Sequence, residues 1–254
     1  MDTNIIIILS KNNLEAFINQ IALDGQMKQA LQENKITKRI KVRRMPERGF
    51  YNFKTIYDIL DESVICNIGF ISEGQPYVIP ITFGRKDDEI FFHGAKGSRM
   101  LKVLKTGAEI CVTITIVDGI VLARSAFHHS MNYRSVMIIG KADVITDLPP
   151  KTEALKNILE HIVPGRWNEA REPNLKELNA TSVFKLKISE ASAKIRTGPP
   201  IDEQEDLGIK IWAGVLPLRI TAEQTIASPD LNENIPLPEY LKEYKKVVKK
   251  KYSK

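Results

Sequence analysis

The chain has 254 residues, a hydrophobic fraction of 43% and a net charge of +6, which is enough apolar material for a core and unlike a disordered composition. The charge is local: residues 36–48 carry +5 and residues 239–254 another +5, leaving the body at −4, so the basic isoelectric point is no argument for a nucleic-acid-binding fold. The longest early apolar run, Ile5–Leu9, is too short for a membrane span or a secretory signal; a soluble, cytoplasmic protein with no membrane or nucleic-acid partner is the expectation.

Residues 1–35 read as an extension, in which Asn12–Leu31 has the apolar spacing of a modest helix weakened by Gly25. The basic stretch 36–48 leads to a short helical pattern over Thr55–Asp61. The grammar then turns to β. Ser63–Phe70 is an apolar run ending at a Ser72-Glu73-Gly74 turn. In Gln75–Phe83, Tyr77, Ile79, Ile81 and Phe83 alternate with Pro76, Val78, Pro80 and Thr82, the period of a strand. The prolines place it at an edge, or where one side of the ladder is unpaired. Asp87-Asp88 turns the chain into Glu89–His93, and a helix opens at Ser98. Glu109–Val117, an Asp118-Gly119 hairpin signal and Ile120–Ala123 follow. Tyr133–Val144 reads as the longest strand, and Lys151–Ile162 as a helix stopped by Pro164-Gly165. A second short helix over Asn174–Ala180 and a strand over Ser182–Ile188 come next, and Trp212–Leu218 ends the ordered body. Cys66 and Cys111 each lie inside an apolar run, without disulfide or metal spacing, and read as buried thiols. Closely spaced strands of this kind predict a mainly β fold, an antiparallel barrel with accessory helices. It spans 36–220, with an extension at 1–35 and a proline- then lysine-rich tail at 221–254.

The segment Glu89–Lys105 is the most informative one for function. A strand, a glycine-punctuated turn and a helix opening on Ser98 and Arg99 place a hydroxyl and a guanidinium beside unpaired helix N–H groups, the elements of a phosphate site. The same residues also fit an ordinary N-cap followed by a solvated arginine. Gly74–Phe83, Phe91–Gly94, Ser98–Leu101, Arg134–Ala142 and Trp212, in that order, resemble the pyridoxamine 5'-phosphate oxidase-like flavoproteins. Arg43–Gly49, Ala126–Ser135, His161–Trp167 and Trp212–Pro217 are similar to the branch related to nitroimidazole-resistance reductases.

The resemblance implies an antiparallel split β-barrel and a homodimer binding FMN in clefts between its subunits. It places Val78, Ile79, Pro80, Ile81, Thr82 and Phe83 beside the isoalloxazine, with their backbone supplying polar contacts. His93 and Gly94 match positions lining the ribityl and phosphate, and Ser98 and Arg99 match the phosphate-binding pair. Ser135 matches a flavin-contacting position, and Trp212 a tryptophan that covers the cofactor from the other subunit; core packing is the alternative for Trp212. The implied activity is reduction of a small electrophilic acceptor with electrons from NAD(P)H. Vitamin B6 oxidation is not expected, because Phe83, Met100 and Val215–Leu218 stand where the true oxidases carry substrate-binding cations. A flavin sensor or store, a haem-handling barrel and a deazaflavin in place of FMN stay open.

No catalytic residue is identified. His128 and His129 are adjacent and would point to opposite faces of a strand; with no third ligand at metal spacing, no metal site is expected, and a hydrogen bond to a carbonyl is the plainer role. Of Tyr133 and Arg134, only the inward-facing one would meet a ligand.

Overall fold

The computed structural model describes residues 34–242 and 244; the Asn12–Leu31 helix and most of the lysine-rich tail lie outside them. Ten strands are described: β1 (Gly49–Phe50), β2 (Ile65–Ser72), β3 (Gln75–Lys86), β4 (Glu89–Ala95), β5 (Glu109–Leu122), β6 (Ser130–Lys141), β7 (Asp143–Ile145), β8 (Thr181–Lys187), β9 (Ala191–Arg196) and β10 (Gly214–Pro217). Four α-helices accompany them: α1 (Phe53–Glu62), α2 (Arg99–Leu104), α3 (Leu148–Ile162) and α4 (Leu175–Ala180). All pairings are antiparallel, in the order β1-β9-β6-β5-β2-β3-β4-β8-β7, with β10 joined to β5. The sheet does not close, as a split barrel requires.

Local chemistry explains most of these elements. The β2–β3 hairpin turns on Glu73 and Gly74, both left-handed (φ 51° and 76°), a turn whose twist matches its strands. Asn52 caps α1 by accepting the Thr55 N–H at 2.8 Å. Asn174 and Glu177 form a reciprocal capping box on α4. The main core gathers α1 (Ile56, Ile59, Leu60), α2 (Met100, Leu101, Leu104) and the inner faces of β2, β4, β5, β6 and β8. On the other face of β4 and β8, α3 packs Ala154 and Ile158 against Phe91 and Val183. Gly84 allows this approach: a Cβ there would lie 2.6 Å from the Asn157 carbonyl oxygen and the Ile158 Cα.

The split lies in β3. Residues 75–82 pair with β2, whereas Phe83–Lys86 pair with β4. The Phe83 N–H points across to the Val64 carbonyl, so by alternation the even-numbered residues of β3 direct their backbone groups away from β2. Pro76 and Pro80 fall on that unpaired side, as their missing N–H groups require. α2 closes the core beneath the opening.

Two expectations are corrected, and one strand is added. Asp118-Gly119 is not a hairpin: β5 runs through it, with a bulge between Val117 and Gly119 in its register with β6. Glycine is needed there because β10 crosses so closely that a Cβ would lie 3.0 Å from the Leu216 carbonyl oxygen. β5, at 14 residues, is therefore the longest strand, and the Tyr133–Val144 run divides into β6 and β7. β9 was missed because Ala191-Ser-Ala193 has little strand propensity; its alanines are fully buried in the core.

Candidate functional site

The rim of the split brings together β3, the end of β4 and the start of α2. Along the open side of β3, the backbone of Val78 and Thr82 offers N–H and C=O groups, and Pro76 and Pro80 offer carbonyls only. The side chain of Val78 is 68% exposed, and Pro80 is exposed, whereas Ile79, Ile81 and Thr82 are half-buried. Phe83 is fully buried against the His161 ring, 4.9 Å between centroids, so its side chain belongs to the core.

β4 then leads to the helix opening. Ser98 occupies the N-cap position of α2, yet its hydroxyl makes no capping bond. The Lys102 N–H is the first to reach back, to the Ser98 carbonyl at 3.0 Å, which leaves the N–H groups of Arg99, Met100 and Leu101 outside the helical ladder. A Cβ on Gly97 would meet nothing within 4 Å, so the backbone before the helix is open to approach. The Arg99 guanidinium lies 4.6 Å over the Tyr77 ring and has no carboxylate partner among the described residues. That stacking fixes the helix opening beside the open edge of β3.

Two further positions lie at the end of β4. Gly94 faces inward, where a Cβ would lie 3.0 Å from Leu101 Cδ1. His93 carries a buried Nδ1 with no hydrogen-bond partner, and burial holds its pKa below the ordinary 6.5, so the ring is neutral near pH 7. An unpaired buried nitrogen is costly unless a ligand atom meets it.

Ser135 and Trp212 do not join the rim within the chain. Ser135 is on β6, separated from β3 by β5 and β2, and donates to the Lys194 carbonyl at 3.2 Å. Trp212 is 67% exposed and lies over Gly214, which rules out core packing.

The remaining histidines each lie near an oxygen acceptor. His129 Nδ1 lies 3.0 Å from the Ser125 carbonyl, and His128 Nε2 lies 3.5 Å from Glu203. His161 Nε2 lies 2.7 Å from the Ser63 carbonyl. Among the described residues no cluster of His, Cys, Asp or Glu fits a metal ion, and no helix is long and apolar enough to cross a membrane. Burial pushes the Cys66 thiol up to about 12 and raises Cys111 as well, so both are poor nucleophiles.

Sequence reasoning missed a cavity of about 790 Å³ between α1, β5 and the chain after β10. Ile65, Ile116 and Val117 form its floor, His161 and Glu62 its wall, and Leu218–Ala222 with Tyr240 its cover. Arg134 braces it, bonding Glu62 (2.8 Å from Nη2 to Oε1, with a second bond through Nη1) and Asp118 at 2.7 and 2.9 Å; these carboxylates hold its pKa above the ordinary value. The cover falls where the sequence pattern fades into tail, which hid it.

Residues 53–195 match the family model described as pyridoxamine 5'-phosphate oxidase. The chain is similar to a flavocytochrome from Azotobacter vinelandii, with 37% identity, 82% of this chain and 96% of that chain covered, and a TM-score of 0.78. A FAD and heme binding protein from Mycobacterium smegmatis shares 35% identity over 77% of this chain and 96% of that one, with a TM-score of 0.74. A 5-nitroimidazole antibiotic resistance protein from Bacteroides thetaiotaomicron shares the fold, at 24% identity over 58% of this chain and 86% of that one, with a TM-score of 0.50. Among curated proteins none matches the chain significantly.

Proposed function

The chain belongs to the pyridoxamine 5'-phosphate oxidase family, and on that footing we propose that it binds a flavin at the rim of the split and works as an oxidoreductase. The carrying observation is the meeting there of an unpaired strand edge, an unused Ser98 hydroxyl and a stacked Arg99 without a carboxylate. These groups suit an anionic, ring-bearing ligand: Arg99, Ser98 and the free helix N–H groups for a phosphate, and the β3 backbone for the polar edge of a flavin. FMN is the flavin the sequence resemblance implies, and the same phosphate contacts serve FAD, which the mycobacterial relative binds.

Bound flavin would accept electrons from NAD(P)H and pass them to a small electrophile. The chain's own part is to anchor the phosphate and orient the ring along β3. The outer face of the sheet exposes Val78 and Ile71, apolar side chains suited to contact with a second copy of this chain. In such a homodimer, Ser135 and Trp212 would reach the flavin of the other subunit.

A second reading adds haem, which the mycobacterial relative at 35% identity binds. The observation favouring it is the His161 cavity: about 790 Å³ lies in the range of about 300–1,000 Å³ typical of ligand sites. The test is the visible spectrum of freshly purified protein, with the released chromophore identified by mass. Flavin near one per chain, bleached by NADPH or NADH, supports the oxidoreductase; a Soret band supports haem as well. Protein that stays colourless after flavin is added overturns the flavin reading.

A further inference from the structure

A second cavity, about 420 Å³, lies on the outer face of the sheet, between residues 40–44 and β5, β6 and β9. Four cations border it: Lys41, Arg43, Arg44 and Lys194. Among the described residues no carboxylate does, and Thr115, Ser135 and Ser192 also line it.

The cations are held in place by their backbone. Asn34 Nδ2 donates to the Ala191 carbonyl at 3.0 Å, and the Thr37 hydroxyl to Glu190 at 2.7 Å. Ile40 is 1% exposed, and the Val42 N–H donates to the Tyr51 hydroxyl at 2.9 Å. The segment is therefore pinned to the start of β9 and to the chain after β1, unlike a free basic tail.

Its neighbouring acids are already used. Arg39 takes Glu109 at 2.8 Å and Glu190 at 3.4 Å. Lys41, Arg43, Arg44 and Lys194 make no ion pair among the described residues. Like charges gathered around one concavity repel unless an anion joins them, and guanidiniums beside hydroxyls are the groups that grip phosphate.

We infer that this cavity is a second phosphate-binding site, separate from Ser98 and Arg99 of the same chain, taking the phosphate-bearing part of a nucleotide that lies across the interface with a second copy. Two sources share that chemistry: the adenylate end of a dinucleotide flavin, and the 2'-phosphate of NADPH. The choice between them rests on the flavin reading above; binding of a phosphorylated nucleotide as such does not.

The test uses full-length protein freed of bound chromophore, as wild type and as Arg43→Gln/Arg44→Gln. Both arginines are exposed, so the fold is retained. Lys176→Gln/Lys210→Gln, the same loss of charge elsewhere on the surface, is the control. Calorimetric titration with ADP should show binding to wild type and control, weakened about tenfold or more in the arginine variant, as loss of charge-assisted bonds implies. FMN affinity, read by fluorescence quenching, should be unchanged. A fall in FAD affinity alone then identifies the flavin as the source; a rise in the KM for NADPH but not NADH identifies the reductant. ADP binding that ignores the two arginines overturns the site, as does an equal loss for FMN and FAD. If no flavin binds while ADP still depends on Arg43 and Arg44, the flavin reading fails and the phosphate site stands.

Discussion

Replacing Arg99 by alanine separates a binding role from a folding role, because the two carry different energies here. In the protein alone the guanidinium has one marked contact, the Tyr77 ring at 4.6 Å. An exposed cation–π pair contributes about 0.5–1 kcal/mol, so Arg99→Ala should lower stability by no more than about 1 kcal/mol. Against a phosphate, the same group would make charge-assisted hydrogen bonds, and losing one or two costs about 2–3 kcal/mol, roughly 30- to 150-fold in Kd. Flavin fluorescence quenching gives the affinity and chemical denaturation the stability, both on one preparation. Arg99→Lys should recover part of the affinity, since lysine keeps the charge and loses the fork. A variant that binds flavin within threefold of wild type would refute the phosphate role. So would a stability loss large enough to explain weaker binding by unfolding.

Two further outcomes follow from the packing. Gly84→Ala drives a methyl into the α3 backbone at 2.6 Å, which should cost about 3 kcal/mol, at the upper end for overpacking, and lower Tm by roughly 6–12 °C; a Tm within two degrees of wild type would contradict the close helix–strand approach. His93 is held below its ordinary pKa of 6.5 by burial, so the unfolded chain binds its proton more readily than the fold. Its contribution is constant above about pH 6.5 and lost as the pH falls below it, with a slope of at most about 1.4 kcal/mol per pH unit. Denaturation midpoints at pH 7.5 and 5.5 should therefore fall less in His93→Gln than in wild type, and an equal fall would show that His93 does not titrate in this way.

The rim was legible because its signals are local. Alternation around Pro76 and Pro80 marked a strand unpaired on one side, and Gly97-Ser98-Arg99 marked a helix opening; each depends on neighbours a few residues away. What escaped depends on distant chain. Asp118-Gly119 has the chemistry of a hairpin, and only the arrival of Val215–Leu216 makes it a bulge in a continuous strand. β9 is set by what β6 can accommodate rather than by its own propensity. The two cavities likewise join segments far apart in sequence: residues 40–44 with β9, and His161 with Leu218–Ala222. Residues 36–48 stood out as charge, but that Arg39 consumes the nearby acids while Arg43 and Arg44 stay unpaired is a property of the fold.

Helix α2 has six residues, too few to hold together alone, and Met100, Leu101 and Leu104 fasten it into the core. The mouth of the site and the seal of the hydrophobic interior are thus one element. Fraying of α2 would strip a ligand of its anchor and admit water to the core in a single event. Amide exchange at Lys102–Leu104, the bonded amides of the helix, should then proceed through one shared opening, slowed in step as ligand binds. Affinity and local stability become two readings of the same equilibrium, so that Leu101→Ala, on a side chain facing away from the rim, would release the ligand as well as loosen the interior.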